Sequence, residues 1–224
     1  MEVGILGEFQ ARPATDVPWV PASSQQVGKL ASVLAAWPQQ VVEHGTLIRA
    51  LWGAEPPRTA ANTLQAHVSR LRRVLGSVEA IQRRPRGYLM DVPVEHVDAE
   101  QFQRLLSSAS ACCQSGEYRD GERMLVAALA LWRGTPFLDV QEPELIARRA
   151  RLEELRALAR ENLVLCRIRL AEDDFQRDCA VADARELVTL APDRSRGQVL
   201  LAEALEGAGR DMEAQQVRMA RASL

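Results

Sequence analysis

The chain has 224 residues, 47% of them hydrophobic, and its 28 Lys+Arg against 30 Asp+Glu leave a formal net charge of −2. Such a composition sustains a packed core and argues against wholesale disorder, and its longest apolar runs fall far short of the roughly 18 residues of a membrane span. The start, Met1-Glu2-Val3-Gly4, lacks the basic lead and apolar core of a signal peptide, so a cytoplasmic protein is expected. In that reducing setting Cys112, Cys113, Cys166 and Cys179 are expected as free thiols that fill core or surface. They have no zinc-ligand spacing, and the adjacent pair Cys112-Cys113 is at most a weak candidate for redox sensing.

Residues 1–22 read as strands: Val3, Ile5, Leu6 and Phe9 form one run, and Val17, Trp19 and Val20 a second. Pro13, Pro18 and Pro21 mark the region as short edge strands and turns. A first helix is expected over 24–37, with Val27, Leu30, Leu34 and Trp37 on one face and Pro38 as its stop. An extended piece at 40–42 leads into a second helix over 43–52, whose buried side is Leu47, Ile48, Leu51 and Trp52. Gly53 ends it, and Glu55-Pro56-Pro57-Arg58 turns the chain. A third helix begins near Thr59; Leu64, Val68, Leu71 and Leu75 recur at i, i+4, i+7 and i+11 as an apolar stripe, and Gly76 closes it. Residues 81–90 read as two short strands around a turn at 85–87.

After Pro93 the pattern turns helical, which places a domain boundary at 93/94 and divides the chain into 1–93 and 94–224. Asp98 is the expected N-cap of a helix running to 115. Further helices are expected over 116–134, 143–171, 175–190, 194–207 and 211–223, with a Pro-bearing loop at 135–143. Gly116-Glu117-Tyr118, Asp173-Asp174-Phe175 and Gly209-Arg210-Asp211 each separate an incoming from an outgoing helix. Ala128 and Trp132 fall at the small and aromatic spacing of tetratricopeptide helix pairs, though the period is irregular. The fold class expected is mainly α with a small antiparallel β component: a winged helix-turn-helix, then tetratricopeptide-like helical repeats.

The charge is unevenly placed. From Arg58 to Tyr88 there are seven arginines (58, 70, 72, 73, 83, 84 and 86) and one acid, Glu79, so this segment is +6 and the rest of the chain −8. A local basic patch on a near-neutral protein is the footprint of a DNA reader. With the apolar stripe of the third helix turned to the core, Asn62, Gln65, Ala66, Ser69, Arg70, Arg72 and Arg73 fall away from it, fully or in part. Arg pairs with guanine, Asn and Gln with adenine, and Ala touches a thymine methyl. Arg72 and Arg73, near the C-terminal end, suit phosphate, and Arg83, Arg84 and Arg86 load the wing with charge that a narrow minor groove attracts.

Leu51-Trp52-Gly53-Ala54-Glu55-Pro56-Pro57, then Ala60-Ala61-Asn62-Thr63-Leu64-Gln65 and Val68-Ser69-Arg70-Leu71-Arg72-Arg73-Val74-Leu75-Gly76, resemble the Streptomyces antibiotic regulatory protein family. So do the wing Arg84-Pro85-Arg86-Gly87-Tyr88-Leu89, the entry Val97-Asp98-Ala99-Glu100-Gln101-Phe102, and the segments Ala128–Gly134 and Arg151–Arg156. The resemblance implies an OmpR-like winged helix followed by a bacterial transcriptional activation domain. It implies an activator of antibiotic or other secondary-metabolite clusters that binds direct repeats in double-stranded DNA near promoters, as a dimer on DNA. RNA polymerase would be recruited through its σ subunit and α C-terminal domain, and the protein would be nucleoid-associated.

By the same resemblance, Arg70 reads bases, Ala66 packs on them, Asn62, His67 and Arg72 hold phosphates, and Arg84 enters the minor groove. The reading of the residues themselves adds Gln65 and Thr63 to the base readers, Ser69 and Arg73 to the phosphate contacts, and Arg83 and Arg86 to the wing. The turn with Ala54, Glu55, Pro56 and Arg58 faces polymerase. The segment 23–29 is a weaker version of the family's Gly-rich turn and basic-led first helix. The family's usual C-terminal extension is missing beyond Leu224, and no Gly-x-x-x-x-Gly-Lys-[Ser/Thr] loop is present, so the small form without an ATPase module is expected, with no cofactor.

The competing reading is a tetratricopeptide-like interaction or ligand-sensing regulator with weak or no DNA binding, its ligand lined by Trp132, Cys166 and Cys179. An enzyme is not expected. His44, His67 and His96 are scattered, and Glu142, Glu144, Glu153 and Glu154 read as helix-surface charges.

Overall fold

The structure, a computed structural model, describes residues 1–14, 16–138 and 140–222, the last two by backbone alone. The expected helix end at Ser223 and one residue of the 135–143 loop, Asp139, therefore lie outside the described residues. The chain folds into two compact units, one of residues 1–102 with 131–153, the other of residues 103–130 with 154–224. The sequence reading cuts the chain once, at 93/94; this partition interleaves it.

In the first unit, β1 (Glu2–Gly4), β2 (Gln10–Arg12) and β3 (Val20–Pro21) form an antiparallel sheet in that order. The expected first run is shorter than its apolar pattern. Ile5 and Leu6 are fully buried, yet they leave the strand because their N–H groups are taken by the carboxylate of Asp98, at 2.8 and 3.1 Å. Asp98 thus corrects its sequence reading. It opens a helix, but its side chain does not cap that helix; it clamps the N-terminal segment and also accepts from Arg133 at 2.8 Å. Burial pushes this carboxyl above its ordinary range, against the pull of the Ile5 N–H, Arg133 and the Leu6 N–H.

Helix α1 (Gln25–Ala36) starts where Ser24 Oγ accepts the Val27 N–H, and buries Val27, Leu30 and Leu34 as expected. Strand β4 (Val41–Glu43) leads into α2 (His44–Trp52), which buries Leu47 and Leu51 and leaves Ile48 and Trp52 half-buried. Helix α3 (Ala60–Leu75) buries the whole stripe Leu64, Val68, Leu71 and Leu75 against α1 and α2. Gly76 ends it with φ +68°, a left-handed conformation that a side chain would strain. Strands β5 (Ile81–Arg84) and β6 (Gly87–Met90) form the hairpin, with β6 in the centre of a second sheet ordered β4-β6-β5.

A single 3₁₀ turn at Val94–His96 leads to α4 (Asp98–Ser115) and α5 (Tyr118–Ala130). Helix α5 ends at Ala130, four residues before the expected 134. The reason is that the chain is drawn into the first unit, where the Arg133 N–H bonds the Leu6 carbonyl at 2.8 Å and Trp132 packs edge-on against Phe102 at 5.3 Å. Glu142, just before α6 (Pro143–Leu170), also departs from its reading as a surface charge. It is buried and pairs with Arg49 at 3.0 Å.

The second unit continues with α7 (Asp174–Leu190), α8 (Ser195–Gly207) and α9 (Asp211–Ala222). The helices therefore come as hairpins separated at Gly116, Asp173 and Gly209, and Asp173 caps α7 by accepting the Gln176 N–H at 2.7 Å. Their joint core includes Val164, Val181, Ala184, Leu187, Leu200, Leu205 and Ala214. No single hairpin hides its apolar face; stacking on the next one does.

Candidate nucleic-acid interface

Helix α3 presents two opposite faces. Its stripe is in the core, while Asn62, Gln65, Ala66, Ser69, Arg70 and Arg73 are exposed and Thr63 is half-exposed. The turn before it, with Ala54, Glu55, Pro56 and Arg58, is exposed throughout, and so are Arg83, Arg84 and Arg86 on the hairpin. At the hairpin tip the Arg84 guanidinium bonds the Gln82 side-chain oxygen, and Gln82 in turn donates to Asp91 at 2.5 Å.

The hairpin is held close by a glycine. Gly87 faces Glu43 in the β4–β6 register, and a Cβ there would lie 1.9 Å from the Val42 carbonyl oxygen. Only the missing side chain lets β6 reach β4, and so fixes where the arginine-bearing tip sits.

Two of the residues expected to grip phosphate are placed otherwise. Arg72 is half-buried, and its Nε and Nη2 donate to the Ile81 carbonyl at 3.1 and 2.6 Å, so the guanidinium ties α3 to β5 instead of standing free. His67 is 7% exposed, its ring stacked on Trp52 at 6.2 Å, and its Nδ1 is buried without a hydrogen-bond partner. Burial, and then the nearby Arg70, hold its pKa below the ordinary value, so it is a neutral ring and not a cation for phosphate. Both corrections share one reason: the partner, Ile81 or Trp52, lies outside the helix, where helical spacing gives no sign of it.

The electrostatics set this face apart. Among the described residues, Arg58, Arg70, Arg73, Arg83, Arg84 and Arg86 are exposed and none is in an ion pair. In the helical unit many arginines are instead paired: Arg167 bridges Glu122 and Asp183, Arg194 holds Glu154 and Glu161, Arg210 and Arg185 hold Glu213, and Arg169 holds Glu203. Uncompensated guanidinium on one face favours a polyanion; paired guanidinium favours the fold itself.

Other suggested sites do not assemble. His44 packs edge-on against Tyr88 at 5.4 Å, while His96 Nδ1 lies 3.0 Å from the Met1 carbonyl, so the histidines serve separate local roles. Trp132 belongs to the first compact unit and Cys166 and Cys179 to the second, where Cys166 is buried and Cys179 exposed. Among the described residues no group of three or more His, Cys, Asp or Glu is placed to hold a metal, and no helix is long and apolar enough to cross a membrane.

Residues 97–224 match the family model of the bacterial transcriptional activator domain, and residues 22–90 match that of the transcriptional regulatory protein C-terminal domain. The chain is 32% identical over 233 residues to the transcriptional regulator RedD of Streptomyces coelicolor, covering all of this chain and 65% of RedD. It is 32% identical over 168 residues to the regulatory protein DnrI of Streptomyces peucetius, covering 70% of this chain and 61% of DnrI. The chain belongs to the Streptomyces antibiotic regulatory protein family. It thus spans a little under two thirds of the length of these family relatives. A solved structure of Mycobacterium tuberculosis EmbR, in complex with a low-affinity phosphopeptide, shares the fold. Its TM-score is 0.83 at 23% identity, over 99% of this family member and 60% of that chain. The family's architecture is a winged helix at the N-terminus followed by a helical activator domain, and the six exposed arginines without ion pairs lie in the first of these.

Proposed function

We propose that this chain is a sequence-specific, DNA-binding transcription activator whose α3 enters the major groove while the β5–β6 hairpin reaches the minor groove. The observation that carries this reading is the set of six exposed arginines without ion-pair partners on α3, its preceding turn and the hairpin. In this proposal Arg70 reads a base edge, guanine by preference, with Ala66, Gln65 and Thr63 beside it. Asn62, Ser69 and Arg73 hold phosphates, and Arg84, flanked by Arg83 and Arg86, enters the minor groove. Arg72 and His67 serve from behind, one fixing the hairpin and the other seating the helix on Trp52.

Residues 1–93 supply the address and 94–224 the activation. The operator is a pair of direct repeats bound by two copies, the exposed turn with Ala54, Glu55, Pro56 and Arg58 meets RNA polymerase at its σ subunit and α C-terminal domain, and the target is a secondary-metabolite gene cluster. The protein works in the cytoplasm, on the nucleoid. Family membership and the likeness to RedD and DnrI support this assignment.

The test is a gel shift on promoter DNA from the neighbouring biosynthetic operon, run across a salt series. Wild-type binding weakens linearly in log salt, and Arg70→Ala with Arg84→Ala abolishes the specific complex, each lost base contact costing about 1–3 kcal/mol. Unchanged binding by the double variant refutes the assignment of these two arginines. No salt-sensitive binding at all favours the interaction-protein reading.

A further inference from the structure

The second unit brings two cysteines together that the sequence keeps 53 residues apart. Cys113 in α4 and Cys166 in α6 face each other with their Sγ atoms 3.3 Å apart. Cys166 is fully buried and Cys113 is half-buried, so of the two residues Cys113 is the one open to solvent. Gly121 of α5 lies over both: a Cβ there would stand 3.2 Å from the Cys113 sulfur and 3.3 Å from the Cys166 sulfur. The glycine is what leaves room for the pair.

We propose that Cys113 and Cys166 are an oxidisable dithiol, a modification site that a hydroperoxide converts into an intramolecular disulfide between α4 and α6. A disulfide bond is about 2.05 Å long, so closing it needs about 1.3 Å of travel, shared between two side chains.

The surroundings divide the chemistry. Burial, and then the hydrogen bond with Cys113, push the Cys166 thiol up to about 12, so it keeps its proton. Cys112, next in sequence, is pushed up by partial burial and by Glu117 and Asp120, and it is not the sulfur that meets Cys166. Cys113 therefore attacks. Its thiolate sulfur takes one peroxide oxygen, the O–O bond breaks, and the displaced hydroxide becomes water with the proton that Cys113 gave up. The sulfur is now a sulfenic acid. The Cys166 sulfur then attacks it, the S–O bond breaks, and the hydroxyl leaves as water with the Cys166 proton. Two thiols lose two electrons and two protons, and one hydrogen peroxide becomes two waters.

The experiment treats the reduced, native, full-length chain with hydrogen peroxide, blocks remaining thiols with iodoacetamide, and maps non-reduced tryptic peptides by mass spectrometry. Cys112 and Cys113 share peptide 105–119, Cys166 lies in 161–167 and Cys179 in 178–185. The expected product joins 105–119, alkylated at Cys112, to 161–167, 2 Da below the sum of those two peptides. It persists in Cys112→Ser, disappears in Cys113→Ser and in Cys166→Ala, and leaves the chain monomeric on a non-reducing gel. Far-ultraviolet circular dichroism of each variant checks that helix content is kept. A Cys112–Cys113 bond, crosslinking through Cys179, or Cys113 overoxidised to the sulfinic acid beside an untouched Cys166 would each overturn the proposal.

Discussion

Replacing Gly87 by alanine tests how the arginine-bearing hairpin is positioned. An added Cβ would lie 1.9 Å from the Val42 carbonyl oxygen, 2.7 Å from its carbonyl carbon and 2.9 Å from Glu43 Cα, all of them backbone. Real Cβ atoms essentially never approach closer than 3.0 Å, so β6 must retreat from β4 by at least 1.1 Å. The pairing there covers three positions, Val41↔Leu89, Val42↔Tyr88 and Glu43↔Gly87, and the His44 N–H bonds the Arg86 carbonyl next to it at 2.9 Å. A shift of that size carries two or three such bonds out of range. At about 1 kcal/mol each, with the penalty of buried groups left unpaired, the loss is roughly 2–4 kcal/mol. For a chain of this length that lowers the melting temperature by about 5–15 °C, readable by circular dichroism. The hairpin tip moves with β6, so a gel shift across a salt series should show affinity down and the slope reduced by about 0.9, the share of one phosphate. A Gly87→Ala protein with unchanged melting temperature and unchanged salt slope refutes the reasoning, because nothing but backbone stands in the way of the new methyl group.

Three further expectations follow from the same geometry. Arg72→Ala should cost about 1–2 kcal/mol by removing both bonds to the Ile81 carbonyl, whereas Arg73→Ala should leave the melting temperature unchanged and reduce the salt slope by about 0.9; equal behaviour of the two in both assays contradicts the division of roles. Asp98→Ala leaves the Ile5 and Leu6 N–H groups and the Arg133 guanidinium without their acceptor, a loss of about 3–5 kcal/mol by urea unfolding, and a value under about 1 kcal/mol would contradict the clamp. His67 has a folded-state pKa below its ordinary value, so as pH falls the unfolded chain takes the proton first. Its stability contribution is full above about 6.5 and declines from there toward the lowered value, and His67→Phe, which keeps the stack on Trp52, should flatten the melting temperature across about pH 5–7.

What was legible in the sequence was what repeats along an element. The stripe Leu64, Val68, Leu71 and Leu75 announced α3 and its orientation, Gly76 announced its end, and Pro85 with Gly87 announced the hairpin. Pro38 and Ser24 bounded α1 to within a residue. What was not legible depended on partners distant in the chain. Asp98 has the look of a cap because acids cap helices, but its partners stand 92 and 93 residues earlier, and no local pattern reports them. Trp132 sits at a helical spacing from Gly116, yet the helix stops before it because Arg133 is taken by Leu6 and Asp98. Cys112 drew attention for its adjacency to Cys113, while the sulfur that meets Cys113 belongs to another helix. Arg72 shows the same limit within the candidate interface: seven arginines can be counted, but which of them is already occupied by a backbone carbonyl cannot.

That occupied arginine has a consequence for how sites on DNA are chosen. Because Arg72 lashes α3 to β5 and the tight seat of Gly87 lashes β6 to β4, helix and hairpin cannot adjust their spacing independently. Used on DNA, such a pair behaves as a caliper with a fixed opening. A duplex whose grooves already match that opening engages both jaws without distortion, and one that does not must be bent or twisted to fit, at an elastic cost set by its sequence. Discrimination would then extend to base pairs lying between the two jaws, positions that no side chain of the protein touches.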